Sequence, residues 1–364
     1  MTGRLDIPQS EHTEFDLISL GEVMLRLDPG ETRIRDARRF DVHVGGGEFN
    51  VAYALSNCFD LRTAVITALA DNEVGSLMRS LIRHGGVDTS MISWSDDGGT
   101  GGLARNGLNF TERGYGMRPA FGVSDRAQSA ASRMAPGDVD WEAVFTGRGA
   151  RWLHTGGVFT TLSESTLRLT LQAVRAAKKH GAVVSYDVNF RPSLWQALGD
   201  YEAHTRIVHQ IFEHVDILIT NEPEYRLSIG EPPPTDDLPS RDQFARMTED
   251  VHKRFPQVSL IAATQRRTTS ASTNDWAAVA WTPHDGLIHS STHESLDILD
   301  RVGAGDSFVA GLAYGLLTAQ TLEWSLELGV AHGALVMTTP GDTSSARRTE
   351  VEALAARRGI VAVR

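Results

Sequence analysis

Asp300-Arg301-Val302-Gly303-Ala304-Gly305-Asp306-Ser307-Phe308-Val309-Ala310-Gly311 decides how this chain is read. After the Gly-Ala-Gly turn, Phe308, Val309, Leu312, Ala313, Leu316 and Leu317 recur at helical spacing, so the turn stands at a helix N-terminus. The first N–H groups of a helix lack partners inside it, and its dipole favours negative charge there. Glycines let an anion come close to the backbone. Asp306 stands beside that anion hole and can accept a proton, which is what phosphoryl transfer to a hydroxyl needs. A tight turn followed by a capping Asp would use the same residues, and this stretch alone does not separate the two.

Upstream, strands alternate with helices. Phe15 to Leu20 reads as a buried strand, which Val23 to Leu27 continues, before the turn Asp28-Pro29-Gly30. Residues 33–44 suit an exposed strand or flap. Gly45-Gly46-Gly47-Glu48-Phe49-Asn50 opens a helix through Phe59, with Asn50 in its first turn; a flexible joint with a capping Asn is the plainer alternative. Thr63 to Leu69 is a strand, and Val74, Leu77, Met78, Leu81 and Ile82 give 72–84 one apolar helical face. Strand-helix-strand-helix order argues a parallel sheet covered by helices. Residues 98–123 break the rhythm and read as a second flap piece.

Further strands are expected at 152–155, 183–188, 216–220 and 260–264, with helices at 165–180, 207–214, 243–255, 306–319 and 323–337. Polar clusters fall where strands end, at Gly21-Glu22, Asp187 to Arg191, Asn221 to Glu224 and Gly303 to Asp306. In open α/β sheets, ligands bind outside the carboxyl ends of the strands.

Composition excludes several classes. The net charge of −11 disfavours nucleic acid, and an anionic substrate would need local arginines against that field. The single cysteine, Cys58, rules out a disulfide framework, fits a cytoplasmic protein, and lies in an apolar helical run as a buried thiol. No apolar run is long enough to span a membrane. Residues 1–14 are polar, without the apolar core of a signal peptide, and read as a flexible tail before a domain at 15–364.

The stretch 300–311 closely resembles the second signature of ribokinase-like (PfkB-family) carbohydrate kinases. Gly45, Gly46 and Asn50 resemble the first, and Asn221 with Glu224 resembles the family's N-x-x-E motif; the likeness covers roughly 15–345 in the correct order. It implies an α/β fold, a three-layer α/β/α sandwich with a small β-sheet lid from about 23–44 and 99–123, that lid pairing subunits into a homodimer. It implies ATP and Mg²⁺, and allows a monovalent cation. By the same likeness Asp306 is the base, and Gly303, Ala304 and Gly305 supply the anion hole. Glu224, with Asn221, helps hold Mg²⁺ through water, while Gly45, Gly46 and Asn50 hold sugar hydroxyls.

Tyr186 to Trp195 (YDVNFRPSLW) resembles a segment of 2-keto-3-deoxygluconate kinases that some fructokinases also carry. Met337 to Asp342 resembles their I-P-G-D ending, which makes Asp342 a substrate contact. Asn189, Arg191 and Arg126 fall on substrate positions, and planar guanidinium groups suit a sugar-acid carboxylate. Arg191 could instead pair with Asp187, and Arg126 could be a solvated surface residue. Thr264 stands where most members have a nucleotide-side turn, and His332, on the last long helix, could border adenine or merely pack. The expected reaction is phosphorylation of 2-keto-3-deoxygluconate; a fructokinase, another hexose or keto-sugar kinase, or a sugar sensor without turnover are the alternatives. Arg301-Val302 replaces the family's usual Thr-Thr, and Thr264 to Thr268 lacks its glycine.

Overall fold

The computed structural model describes residues 5–99, 102–235 and 240–356. Fourteen strands lie among them: β1 Leu17–Leu20, β2 Met24–Asp28, β3 Asp41–Gly45, β4 Thr63–Ala70, β5 Ile92–Ser95, β6 Gly107–Glu112, β7 Phe121–Asp125, β8 Trp152–Gly156, β9 Val183–Asp187, β10 Ile217–Ile219, β11 Leu260–Ser270, β12 Thr273–Thr282, β13 Gly286–His289 and β14 His293–Asp297. The class is α/β. The chain divides into two compact units, each drawn from separated stretches of sequence.

The first unit takes the described residues of Met1–Gly21, Ser132–Ala263 and Val279–Ile288. Its strands run in the order β11-β10-β9-β8-β1, all parallel, with Ile18 opposite Leu153, Trp152 opposite Val183, and Ile217 opposite both Ser185 and Leu260. All of β8 and all but the last residue of β9 are buried, as parallel strands covered on both faces must be. The Glu164–Lys179 helix packs on β8 and β9. Ser163 starts it by a reciprocal cap: its Oγ accepts from Thr166 N at 3.2 Å while Thr166 Oγ1 accepts from Ser163 N at 3.0 Å.

The second unit takes the described residues of Glu22–Ala131, Thr264–Ala278 and His289–Arg364. Here β4 and β5 run parallel, Thr67 opposite Ile92, and a separate four-stranded sheet has the order β3-β2-β6-β7. In it Met24 faces Gly45 antiparallel and Gly107 parallel, and Leu108 faces Asp125 antiparallel. The Ala304–Leu317 helix packs on Gly47–Phe59 and on Leu322–Val336. Glycines let the Ala304–Leu317 and Leu322–Val336 helices approach closely: a Cβ at Gly311 would stand 2.6 Å from Leu328 O, and one at Gly329 2.8 Å from Phe308 O. Cys58 is buried, and burial pushes its thiol up to about 12, so it stays an unreactive thiol.

Three expectations change. β2 does not continue β1 but belongs to the four-stranded sheet, and Glu22 between the two strands is bonded to Arg126. Residues 5–14 are not a loose tail: Arg151 Nε donates to Pro8 O at 2.7 Å, and Arg148 Nε to Glu14 at 2.7 Å. Residues 1–4 of that tail, 100–101 of the second flap piece and 357–364 lie outside the described residues. β11 runs six residues beyond the expected end, since its last part is polar and exposed and only backbone pairing reveals it as strand.

Candidate active site

Gly303 caps the Ala304–Leu317 helix with φ +80°, a left-handed conformation that favours glycine. A Cβ there would also stand 2.1 Å from the main-chain oxygen of Asp342. The turn is held from its start, because Asp300 Oδ1 accepts from Val302 N at 3.1 Å and Asp300 Oδ2 from Gly341 N at 3.2 Å. Gly305 differs from Gly303. It is exposed, its backbone is not left-handed, and apart from its own stretch of helix backbone no described atom lies within 4 Å of where its Cβ would be. Asp306, next in line, is half-buried.

Asn50 joins this turn to the first glycine run. Its Nδ2 donates to Asp306 Oδ2 at 2.7 Å, while its Oδ1 accepts from Gly46 N at 3.2 Å. Gly45 and Gly46 make room for protein atoms. A Cβ on Gly45 would stand 2.0 Å from Asp342 Oδ2, and one on Gly46 2.0 Å from Glu22 O. Their glycine identity therefore has a packing cause, independent of any bound sugar.

Arg126 is not a solvated surface residue. Its Nε donates to Glu22 Oε2 at 2.8 Å, its Nη2 bonds the same oxygen, and Ser129 Oγ donates to Glu22 Oε1. Glu22 is buried and Arg126 nearly so, and the pairing fixes the guanidinium orientation. The second unit thus brings together Gly45, Gly46, Asn50, Gly303, Ala304, Gly305, Asp306 and Asp342, with Arg126 tied in through Glu22. Asp342 is engaged by Arg26, and burial pushes its carboxyl above the usual range. Thr264 lies half-buried on β11.

His332 does not border a nucleotide. It is fully buried, its Nε2 lies 2.8 Å from Ser344 Oγ, and Phe59 packs edge-on against its ring. Burial pushes it down to about 3, so it is a neutral core residue. The helix carrying it is buried on most sides, which left no exposed face for sequence periodicity to mark.

In the first unit, Asn189, Arg191, Asn221 and Glu224 follow the carboxyl ends of the adjacent parallel strands β9 and β10. Asn189 has φ +37°, and exposed Arg191 donates from Nη1 to Phe190 O at 3.2 Å. Asn221 caps the Glu222–Ser228 helix, its Oδ1 accepting from Glu224 N at 3.0 Å. N-x-x-E is thus also a helix-start pattern, which places half-buried Glu224 in the first turn.

Two buried residues escaped the sequence reading. Glu22 was singled out only as a strand end, and Arg26 not at all. A lone charge amid apolar β2 (Met-Leu-Arg-Leu-Asp) was the available signal, but its partners lie up to 316 positions away.

Comparison with known proteins agrees with this geometry. The family model described as pfkB family carbohydrate kinase matches residues 14–349. The 2-dehydro-3-deoxygalactonokinase of Haloferax volcanii is 27% identical over 338 residues, covering 93% of this chain and 95% of its own. The 5-dehydro-2-deoxygluconokinase of Geobacillus kaustophilus is 25% identical, with 92% and 91% covered. The crystal structure of 2-dehydro-3-deoxygluconokinase from Thermotoga maritima superposes with a TM-score of 0.83 at 32% identity, covering 93% of this chain and 99% of that one. A helix-start glycine turn with its carboxylate, matched along nearly the whole chain, leaves one assignment: this protein belongs to the pfkB family of carbohydrate kinases, phosphotransferases with an alcohol group as acceptor.

Proposed function

We propose that this kinase transfers the γ-phosphoryl group of ATP to the 6-hydroxyl of 2-keto-3-deoxygluconate, with Asp306 as base. The observation that carries the reading is the pair Gly305–Asp306. An exposed helical glycine, with nothing but its own helix backbone near its missing Cβ, stands beside a carboxylate held at 2.7 Å by a neutral amide. Folding does not demand glycine there; a phosphoryl group approaching the amides does. As the sugar oxygen attacks phosphorus, Asp306 takes its proton, the bond to ADP breaks, and ADP leaves. The N–H groups of Gly303, Ala304 and Gly305 meet the charge on the equatorial oxygens. Gly45, Gly46 and Asn50 border the acceptor hydroxyl.

A sugar acid is favoured over a neutral hexose by Arg126, oriented by Glu22, and by exposed Arg191 beside Asn189. The named relatives act on keto-deoxy sugar acids, which supports the same class. Mg²⁺ would arrive with ATP, supply charge neutralisation at the phosphates, and be held by Glu224 through water. Mg²⁺ keeps several of its waters, which suits the half-buried carboxylate of Glu224 in the first turn of its helix. Thr264 would lie on the nucleotide side.

The lid sheet pairs two subunits in this reading. Its edge strand β7 is exposed throughout, including Phe121 and Val123, and Tyr115 and Met117 nearby are almost fully exposed. Among the described residues no helix is long and apolar enough to cross a membrane. With one buried thiol and an acidic charge balance, we place the protein in the cytoplasm.

The deciding experiment is a coupled ADP-release assay with 2-keto-3-deoxygluconate, its 4-epimer the galactonate, 5-keto-2-deoxygluconate and fructose, run with K⁺ and with tetramethylammonium. Highest kcat/KM on 2-keto-3-deoxygluconate is expected, and Asp306→Asn should lose about 10²–10⁴-fold while still binding sugar. Preference for fructose would refute the acid-sugar reading. Binding without turnover on any sugar would make the protein a sensor.

A further inference from the structure

Arg26 lies in β2, the strand flanked by β3 and β6 in the four-stranded sheet, and its side chain is 0% exposed. Its guanidinium reaches three carboxylates from three parts of the chain. Nη2 donates to Asp28 Oδ2 at 2.9 Å and also bonds Asp300 Oδ2, while Nη1 bonds Asp342 Oδ1. Two of these carboxylates bracket the anion-hole turn. Asp300 holds Val302 N and Gly341 N, and the main-chain oxygen of Asp342 lies against Gly303, where no Cβ could fit.

Stability does not explain the arrangement. One guanidinium faces three buried carboxylates; among the described residues Asp28 alone has a second arginine, Arg113 with Nε at 3.4 Å, and His43 lies near Asp342. Arg26 Nε is buried and finds no hydrogen-bond partner among the described residues. Buried ion clusters of this kind are commonly no more stable than apolar side chains of equal volume. Burial alone would push the guanidinium down, yet Asp342 and Asp300 hold it above its ordinary value, so it stays charged. What the cluster does provide is a fixed link from the sheet to the turn.

We propose that Arg26 is a positioning residue that couples the seating of the four-stranded sheet to the anion hole. β2 delivers the guanidinium, which sets Asp300 and Asp342, and these set Gly303 to Asp306. Displacement of the sheet withdraws the guanidinium and loosens the turn. The inference rests on the kinase role given above to Gly303–Asp306.

The test compares Arg26→Ala and Arg26→Lys with the parent and with Asp306→Asn. It measures kcat, KM for both substrates, sugar affinity by calorimetry, and thermal midpoint. A misplacement of about 1 Å costs about 10²-fold, so kcat should fall at least that far in both variants, with sugar affinity changed less than about threefold. Guanidinium chloride in the tens of millimolar should restore at least about fivefold of the Arg26→Ala kcat, and urea, the neutral analogue of its shape, should not. Folded variants that keep kcat within about threefold overturn the proposal. So does a loss that follows the thermal midpoint and that guanidinium fails to restore. Should Arg26→Ala not fold, Arg26→Lys decides: a fall in kcat of about 10²-fold with an unchanged thermal midpoint supports the proposal, and a kcat kept within about threefold or lost only with the midpoint overturns it. An active Asp306→Asn would instead refute the site reading, whatever the Arg26 variants do.

Discussion

Gly305→Ala should separate folding from chemistry. Gly305 is the second residue of a fourteen-residue helix, without left-handed backbone, and a methyl group there meets no described atom within 4 Å apart from its own stretch of helix backbone. Among the described residues no packing contact opposes alanine. Removing a glycine from a helix stabilises by about 0.5–1 kcal/mol, chiefly through the unfolded chain, with the lower figure apt in a first turn. For a chain of this size that is roughly 1–3 °C in thermal midpoint. Activity should move the other way. The methyl would stand over the amides where a phosphoryl oxygen must come, and losing one such donor costs about 10²–10³-fold in kcat. Calorimetry and the coupled assay on one preparation read both signs. A stable variant with kcat within about threefold of the parent would refute the anion hole, since a glycine kept only for its turn has no bearing on turnover.

Gly303→Ala is the matched control and should lose both properties. Its left-handed φ of +80° costs about 1–2 kcal/mol for a residue with a Cβ, and the contact at 2.1 Å is with backbone that cannot swing aside. Arg191→Ala should raise KM for a sugar acid at least about tenfold more than for a neutral sugar, the difference expected of one charge-assisted contact; equal losses in the two series would make Arg191 structural. Acid should destabilise the protein through His154 and His332, both fully buried and pushed down from 6.5 to about 3 by burial. The unfolded chain binds their protons first, so stability is whole above about pH 6.5 and falls as pH drops toward 3; at pH 5 each withdraws about 2 kcal/mol. Urea titrations of His332→Gln between pH 5 and 6.5 should show a slope shallower by about 1 kcal/mol per pH unit, and an unchanged slope would mean the ring is already charged. Tyr115→Ser with Met117→Ser should lower the mass seen by light scattering from dimer to monomer; an unaltered mass would take the lid out of the interface.

What could be read from sequence followed the range of its cause. Strand and helix order rests on local periodicity, and the Gly303–Asp306 turn on adjacent residues, so both were visible. Asn50 was visible as a helix-start residue, but not its bond to Asp306, 256 positions away. Glu22 and Arg26 were hidden for the same reason, with partners 104 to 316 positions along the chain. His332 misled in another way: a helix buried on most sides has no polar face to show that its histidine points into the core. Residues 8 and 14 looked loose because Arg148 and Arg151, which hold them, announce nothing in sequence.

Asn50 shows why the two glycine runs, so far apart in sequence, act as one feature. The Gly47–Phe59 and Ala304–Leu317 helices pack together, and both begin at residues this one side chain touches. Two helix N-termini therefore contribute partial positive charge beside the same carboxylate. That matters in a chain of net charge −11, whose general field opposes both a nucleotide and a sugar acid. Backbone dipoles offset part of that field at the site itself, through atoms that do not move. A neutral amide donor at 2.7 Å fixes Asp306 in orientation and adds no net charge to the carboxylate. The arginines Arg126 and Arg26 are bonded to Glu22, Asp300 and Asp342, carboxylates that hold the surrounding backbone in place.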